Sequence, residues 1–442
     1  MNPSRPRRGP GLVAIVAAAA LVVAAFIVDL RDSGSRRDSA STAASSSRSA
    51  GSSPQGSVGS EAGAPSAQGR EAGAPVGSAA SQAAGGSAAS QAPGGSALSD
   101  PLPGMPPPLD PSDLYAADRP GMLSPVVRGD LPRIYVPNNL SNTVSVIDPA
   151  TYRVLATVRV PVSPEHVVPS WDLKTLWVNS DRGNALTPIN PVTGAFGKPV
   201  PVDDPYNLYF TPNGASAVVM AEAAHEIVFR DPHSMKVQSV VHVNCGGVNH
   251  ADFSADGRYM VVSCEFSGDL LKVDITTRRV VAQMHLPAAM PMPQDVKIAP
   301  DGKTWYVADM MSGGVWILDG GLFAAPRLLR TGAGAHGLYV SRDSKYLYVT
   351  NRGAGSISVV RFADNKIVAT WRIPGGGSPD MGGISADGKV LWLSGRYNGV
   401  VYAISTANGH LIRKIPVGAG PHGLCVWPQP GRYSLGHTGI LR

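Results

Sequence analysis

The sequence predicts an all-β protein: a seven-bladed β-propeller of four-stranded antiparallel blades, preceded by an N-terminal transmembrane helix and a disordered linker. Three observations predict it. One strand motif recurs seven times at intervals near 42 residues, strong turn signals separate short alternating runs, and the composition changes abruptly near residue 111.

The motif is a turn followed by an alternating apolar run that ends in a small or polar residue. It begins at Arg133, Lys174, Ser216, Arg258, Lys303, Lys345 and Lys389, with spacings of 41, 42, 42, 45, 42 and 44. A period of this size made only of short strands fits propeller blades. Asn213-Gly214, Asp256-Gly257, Asp301-Gly302 and Asp387-Gly388 mark tight hairpins. Within each unit Val, Ile, Tyr and Trp alternate with polar residues, as half-buried strands require. Innermost strands are expected to begin near His166, Asn207, His250, Asp295, His336, Asp380 and His422. The ordered region opens one strand later, at Arg133, so the C-terminal strand is expected to pair with the N-terminal blade. That closure removes exposed sheet edges.

Four segments follow from composition: a basic stretch (1–10), a signal anchor (11–30), a Ser/Ala/Gly/Pro-rich linker (31–111) and the propeller (112–442). Gly11–Val28 is 18 residues without a charge. At 1.5 Å per residue it spans about 27 Å, close to the hydrocarbon thickness of a bilayer. Arg5, Arg7 and Arg8 precede it and should stay cytoplasmic, which places the propeller outside the cell membrane. A cleaved signal peptide is the competing reading, but its apolar core is usually about 7–15 residues. The linker has too little apolar surface to offset its ordering entropy and is expected to act as a tether, with a reach of roughly 50 Å for about 80 residues.

Half of the formal net charge of +6 lies in the first 40 residues. The remainder has no basic run interleaved with aromatics, so no nucleic-acid partner is expected. The expected partners are the membrane, through the anchor, and a cell-envelope protein or small ligand. Three cysteines exclude a disulfide-dense scaffold. Cys245 and Cys264 flank the same blade mouth, where either a disulfide or soft metal ligation is open. Cys425 reads as a buried thiol.

Tyr348-Val349-Thr350-Asn351 spells the tetrapeptide of the YVTN-repeat propellers. Over about residues 130–430 the chain resembles the exported YncE-like members of that family. More distantly it is similar to the haem-binding propeller of nitrite reductase and the copper-binding propeller of nitrous oxide reductase. Resemblance to lactonase-type propellers adds hydrolysis as a possibility by analogy of fold only.

Inner-strand starts and the ends of the following strands converge at one mouth of the channel. They bring Glu165, Asn207, Asp295 and Asp380 from the starts, and Glu265, Asp309, Arg352 and Arg396 from the ends, as candidate ligand-binding residues. His166, His250, His336 and His422 recur at separations of 84, 86 and 86, two blades each. Imidazoles backed by carboxylates suit a Cu or Zn ion. A purely structural role, with each ring bonded to the neighbouring blade, competes. The tail Gly431–Arg442 lies outside the repeat; packing over the closure is its plain reading, and reaching the channel the other.

No nucleophile motif, phosphate loop or HExxH is present, and the lack of CxxCH argues against a covalently attached haem of its own. The expected function is therefore a ligand- or protein-binding module displayed at the cell envelope. The alternative is a metal-dependent oxidoreductase or hydrolase using the histidine ring.

Overall fold

The computed structural model describes residues 100–319, 325–437 and 439–442. The anchor and most of the linker lie outside these residues. Among the described residues no helix is long and apolar enough to cross a membrane.

Seven four-stranded antiparallel sheets form seven blades. In the sixth, the chain runs outward from the inner strand Ala335–Val340 through Tyr346–Asn351 and Ser356–Arg361 to Lys366–Arg372. The inner strands of the second, fourth, fifth and seventh blades are buried at every position, whereas Lys366–Arg372 alternates exposed and half-buried residues at the rim. Apolar side chains gather in seven clusters, one between each pair of neighbouring blades. Each blade buries both faces, and the core is a ring of seams around a polar channel.

The ring closes as the sequence predicts. The short strand Cys425–Trp427 pairs antiparallel with Arg133–Asn138, matching Tyr135 to Cys425, Ile134 to Val426 and Arg133 to Trp427. Beyond it the strand loosens, although the His422 amide still donates to the Pro137 carbonyl at 3.0 Å. Cys245 and Cys264 form a disulfide, and Cys425 is a buried free thiol whose pKa burial pushes up.

One segment differs from expectation, and for another the structure chooses between two readings. Residues 100–111, read above as the end of the linker, pack under the propeller: Leu102 is buried and its amide donates to the Asp256 carbonyl at 2.8 Å. The tail takes the second of its two readings. It lies along the exposed edge of the inner strand Asn207–Phe210, where Phe210 N donates to Leu435 O and His437 N to Leu208 O. An inner edge carries amides with no further strand to pair them; the tail supplies that partner and carries His437 into the channel.

Candidate metal centre in the propeller channel

At five inner-strand starts the register with the next strand shifts, between Pro164/His166, Val248/His250, Pro293/Val296, Ala335/Leu338 and Pro379/Gly382. Such bulges re-aim side chains, and here they turn the leading residues into the channel. At three of the five bulges a hydroxyl on the neighbouring strand satisfies backbone that the bulge frees. Thr350 Oγ1 accepts from Gly337 N at 2.7 Å, Ser263 Oγ donates to His250 O at 3.3 Å, and Ser394 Oγ donates to Met381 O at 3.0 Å. This gives the third position of the repeat tetrapeptide a physical role. His250 lies six residues before Asp256 and His336 seven before Asp343; each stands within its bulge, and both rings reach the channel.

All four sequence-predicted histidines meet there and are 2% exposed or less. Ring centroids are 4.9 Å apart for His166–His422, 5.8 Å for His166–His250, 5.9 Å for His250–His336 and 5.7 Å for His336–His422. A fifth ring, His437, stands 5.2 Å from His166 and 5.3 Å from His250. Gly423 permits this closeness: a Cβ there would meet His166 Cδ2 at 2.1 Å.

The potential ligand atoms gather in two sets rather than at one point. In one, a ring nitrogen each from His166, His250 and His437 lies within 4.8 Å of the others; the second set is His336, Asp380 and His422. In the first, the protein holds the Nδ1 atoms. His166 Nδ1 lies 2.9 Å from Tyr206 O, and His250 Nδ1 2.9 Å from Asn249 Oδ1. His437 Nδ1 is 3.0 Å from the amide nitrogen and 3.5 Å from the oxygen of Asn207, which can serve either tautomer. The Nε2 atoms of all three are buried without a hydrogen bond. Burial lowers the pKa of every ring, that of His166 to about 4, so the imidazoles are neutral at pH 7. Neutral imidazole with one nitrogen anchored and the other bare is the form that ligates a metal.

The carboxylates divide by role. Glu165 accepts from Arg396 at 3.2 Å and lies 2.9 Å from His422 Nδ1, with Asn139 donating to its other oxygen. Asp380 is 3.1 Å from His336 Nδ1 and 3.6 Å from Arg352 Nη1. Glu265 accepts from Asn249 at 2.7 Å, steadying the amide behind His250. Asp295 Oδ2 accepts from Leu338 N at 2.9 Å, while Oδ1 is 3.8 Å from His437 Nε2; desolvation raises its pKa to about 6. Asn207 orients His437 and bonds its own strand through Leu208 N.

Asp309 is a correction. Its carboxylate accepts from Met292 N, Ser312 N, Ser312 Oγ and Trp316 Nε1, at 2.7–3.0 Å, and so fastens its own turn rather than lining the site. Asn351 has the same turn-holding role, bonded to Thr331, Ser356 and Ser358. Sequence reading placed the whole row of strand ends at the mouth because it could not see the following turn claim these side chains.

Arg442 was not among the candidates. It donates to Asp252 Oδ1 at 3.0 Å and lies 4.6 Å from the Tyr115 ring centroid, locking the tail into the lower channel.

Fold and channel together define a β-propeller whose axis carries a buried, neutral histidine cluster. The chain belongs to the YNCE-like β-propeller family, whose model matches residues 121–430. No curated protein matches the sequence. Among solved structures the chain is similar to hydrazine synthase of Kuenenia stuttgartiensis, at 20% identity and TM-score 0.55, over 64% of this chain and 94% of that one. It is similar to the periplasmic gluconolactonase PpgL of Pseudomonas aeruginosa, at 17% identity and TM-score 0.55, over 68% and 99%. The dihydro-heme d1 dehydrogenase NirN matches at 14% identity and TM-score 0.51, over 73% and 79%. At these identities the likeness is one of fold.

Proposed function

We propose that the chain is an extracytoplasmic, membrane-tethered binding module whose channel ligand is a transition-metal ion, Cu or Zn, held by His166, His250 and His437. One observation carries the reading: three buried imidazoles with anchored Nδ1 atoms and Nε2 atoms that lack any hydrogen bond. A buried polar atom left bare costs roughly 1–3 kcal/mol, and a metal would relieve three at once. A larger anionic ligand fits less well, because Arg396 faces Glu165 and Arg352 faces Asp380.

The purified full chain is expected to retain a transition metal after desalting. His166→Gln and His250→Gln are each expected to weaken its retention more than about 100-fold, beyond the 10–100-fold typical of losing an outer-shell partner. Metal affinity equal to wild type in both variants would dismiss the trio.

The alternative, a metal-dependent oxidoreductase or hydrolase, is favoured by one feature. Three protein donors leave a tetrahedral ion an open position, as in catalytic zinc sites. Turnover that disappears with the metal would select it.

The tether rests on the arginines and the apolar run Gly11–Val28. Protease added outside intact cells is expected to cut the linker and release the propeller as a soluble fragment. Protection of the chain until the cells are lysed would place it inside and end this part of the proposal.

A further inference from the structure

We propose that His336, Asp380 and His422 form a second metal site, so that the channel is a two-ion centre with unlike donor sets. The three residues are 2% exposed or less and offer one ligand atom each within 4.8 Å of one another. His336 Nδ1 lies 3.1 Å from Asp380 Oδ1, without hydrogen-bond geometry. His422 sets Nδ1 2.9 Å from Glu165 Oε2, and its Nε2 lies 3.7 Å from Asp380 Oδ2. Glu165 is held in turn by Arg396 at 3.2 Å. His422 therefore has a carboxylate beside Nδ1 while Nε2 faces Asp380, the placement from which an outer carboxylate orients a ligating histidine.

The chemistry of the set differs from that of the trio. Two imidazoles and a carboxylate favour a borderline or harder divalent ion, Zn, Fe(II) or Mn, over Cu(I). Arg352, 3.6 Å from Asp380 Oδ2, stays beside the carboxylate as its outer partner. The sets adjoin through His166–His422 and His250–His336, at 4.9 and 5.9 Å between centroids. The second site stands on its own donors; its being half of a two-ion centre rests on the trio proposed above.

The full chain, stripped with chelator, loaded with Zn(II) and freed of excess ion, gives zinc per chain by mass spectrometry. The wild type is expected to hold about two ions, His336→Gln about one, His437→Gln about one, and the double variant almost none. Far-ultraviolet circular dichroism checks that each variant is folded; should His336→Gln unfold, Asp380→Asn carries the same expectation. One ion in the wild type, lost on His437→Gln and kept on His336→Gln, would overturn the second site and leave the trio standing. Two ions retained by His336→Gln would also overturn it. No zinc in the wild type would remove both proposals.

Discussion

A chain ending at Gly418 is expected to yield no stable folded monomer. The truncation removes the strand Cys425–Trp427, leaving the inner edge of Arg133–Asn138 unpaired. It also deletes the Gly423 backbone bonds to Glu165 O and Val167 N, which tie the closing segment to the second blade. Leu424, Val426, Trp427, Tyr433, Leu435, Ile440 and Leu441, all buried, leave with it. At about 1.5–3 kcal/mol each their burial contributes roughly 10–20 kcal/mol, as large as the whole net stability of a typical domain, about 5–15 kcal/mol. Size-exclusion chromatography should find aggregate, since an open edge also invites pairing between chains. A monomeric product with a cooperative melt would mean that the ring closes elsewhere.

Deleting only Gly431–Arg442 is expected to have two separable effects. Tyr433, Leu435, Ile440 and Leu441 lose their burial, at about 6–12 kcal/mol in total, enough to lower Tm by at least about 10 °C. The deletion also removes His437, and with it one donor of the trio. His437→Gln separates the two effects. It keeps the apolar contacts of the tail, so it should melt within a few degrees of wild type while losing the trio's metal. If the tail deletion melted like the wild type, the tail would be an ornament rather than the floor of the channel. If His437→Gln kept full metal affinity, the tail would be structural only.

The sequence exposed what is periodic and concealed what is not. Blade count, the inner-strand starts and the closure by the last strand could be read because one unit repeats and its turns carry Asn-Gly or Asp-Gly. The two-blade spacing of His166, His250, His336 and His422 was visible for the same reason. Its consequence was not, because whether each ring faces the channel depends on bulges that have no composition signal of their own. The hydroxyls of Thr350, Ser263 and Ser394, one position before the strand end, accompany only three of the five bulges. His437 could not be placed: it belongs to a tail without a repeat, docked on Asn207–Phe210 through main-chain hydrogen bonds that any sequence can make. Asp309 was misjudged because position alone cannot tell a carboxylate facing a channel from one that caps its own turn.

The most direct measurement is X-ray absorption at the metal edge of the loaded full chain. A channel-bound ion should show a first shell with imidazole nitrogens at about 2.0–2.1 Å, and the outer-ring scattering of histidine should diminish on His166→Gln. A shell of oxygen atoms alone, unchanged in that variant, would place the metal on the surface and contradict the histidine centre.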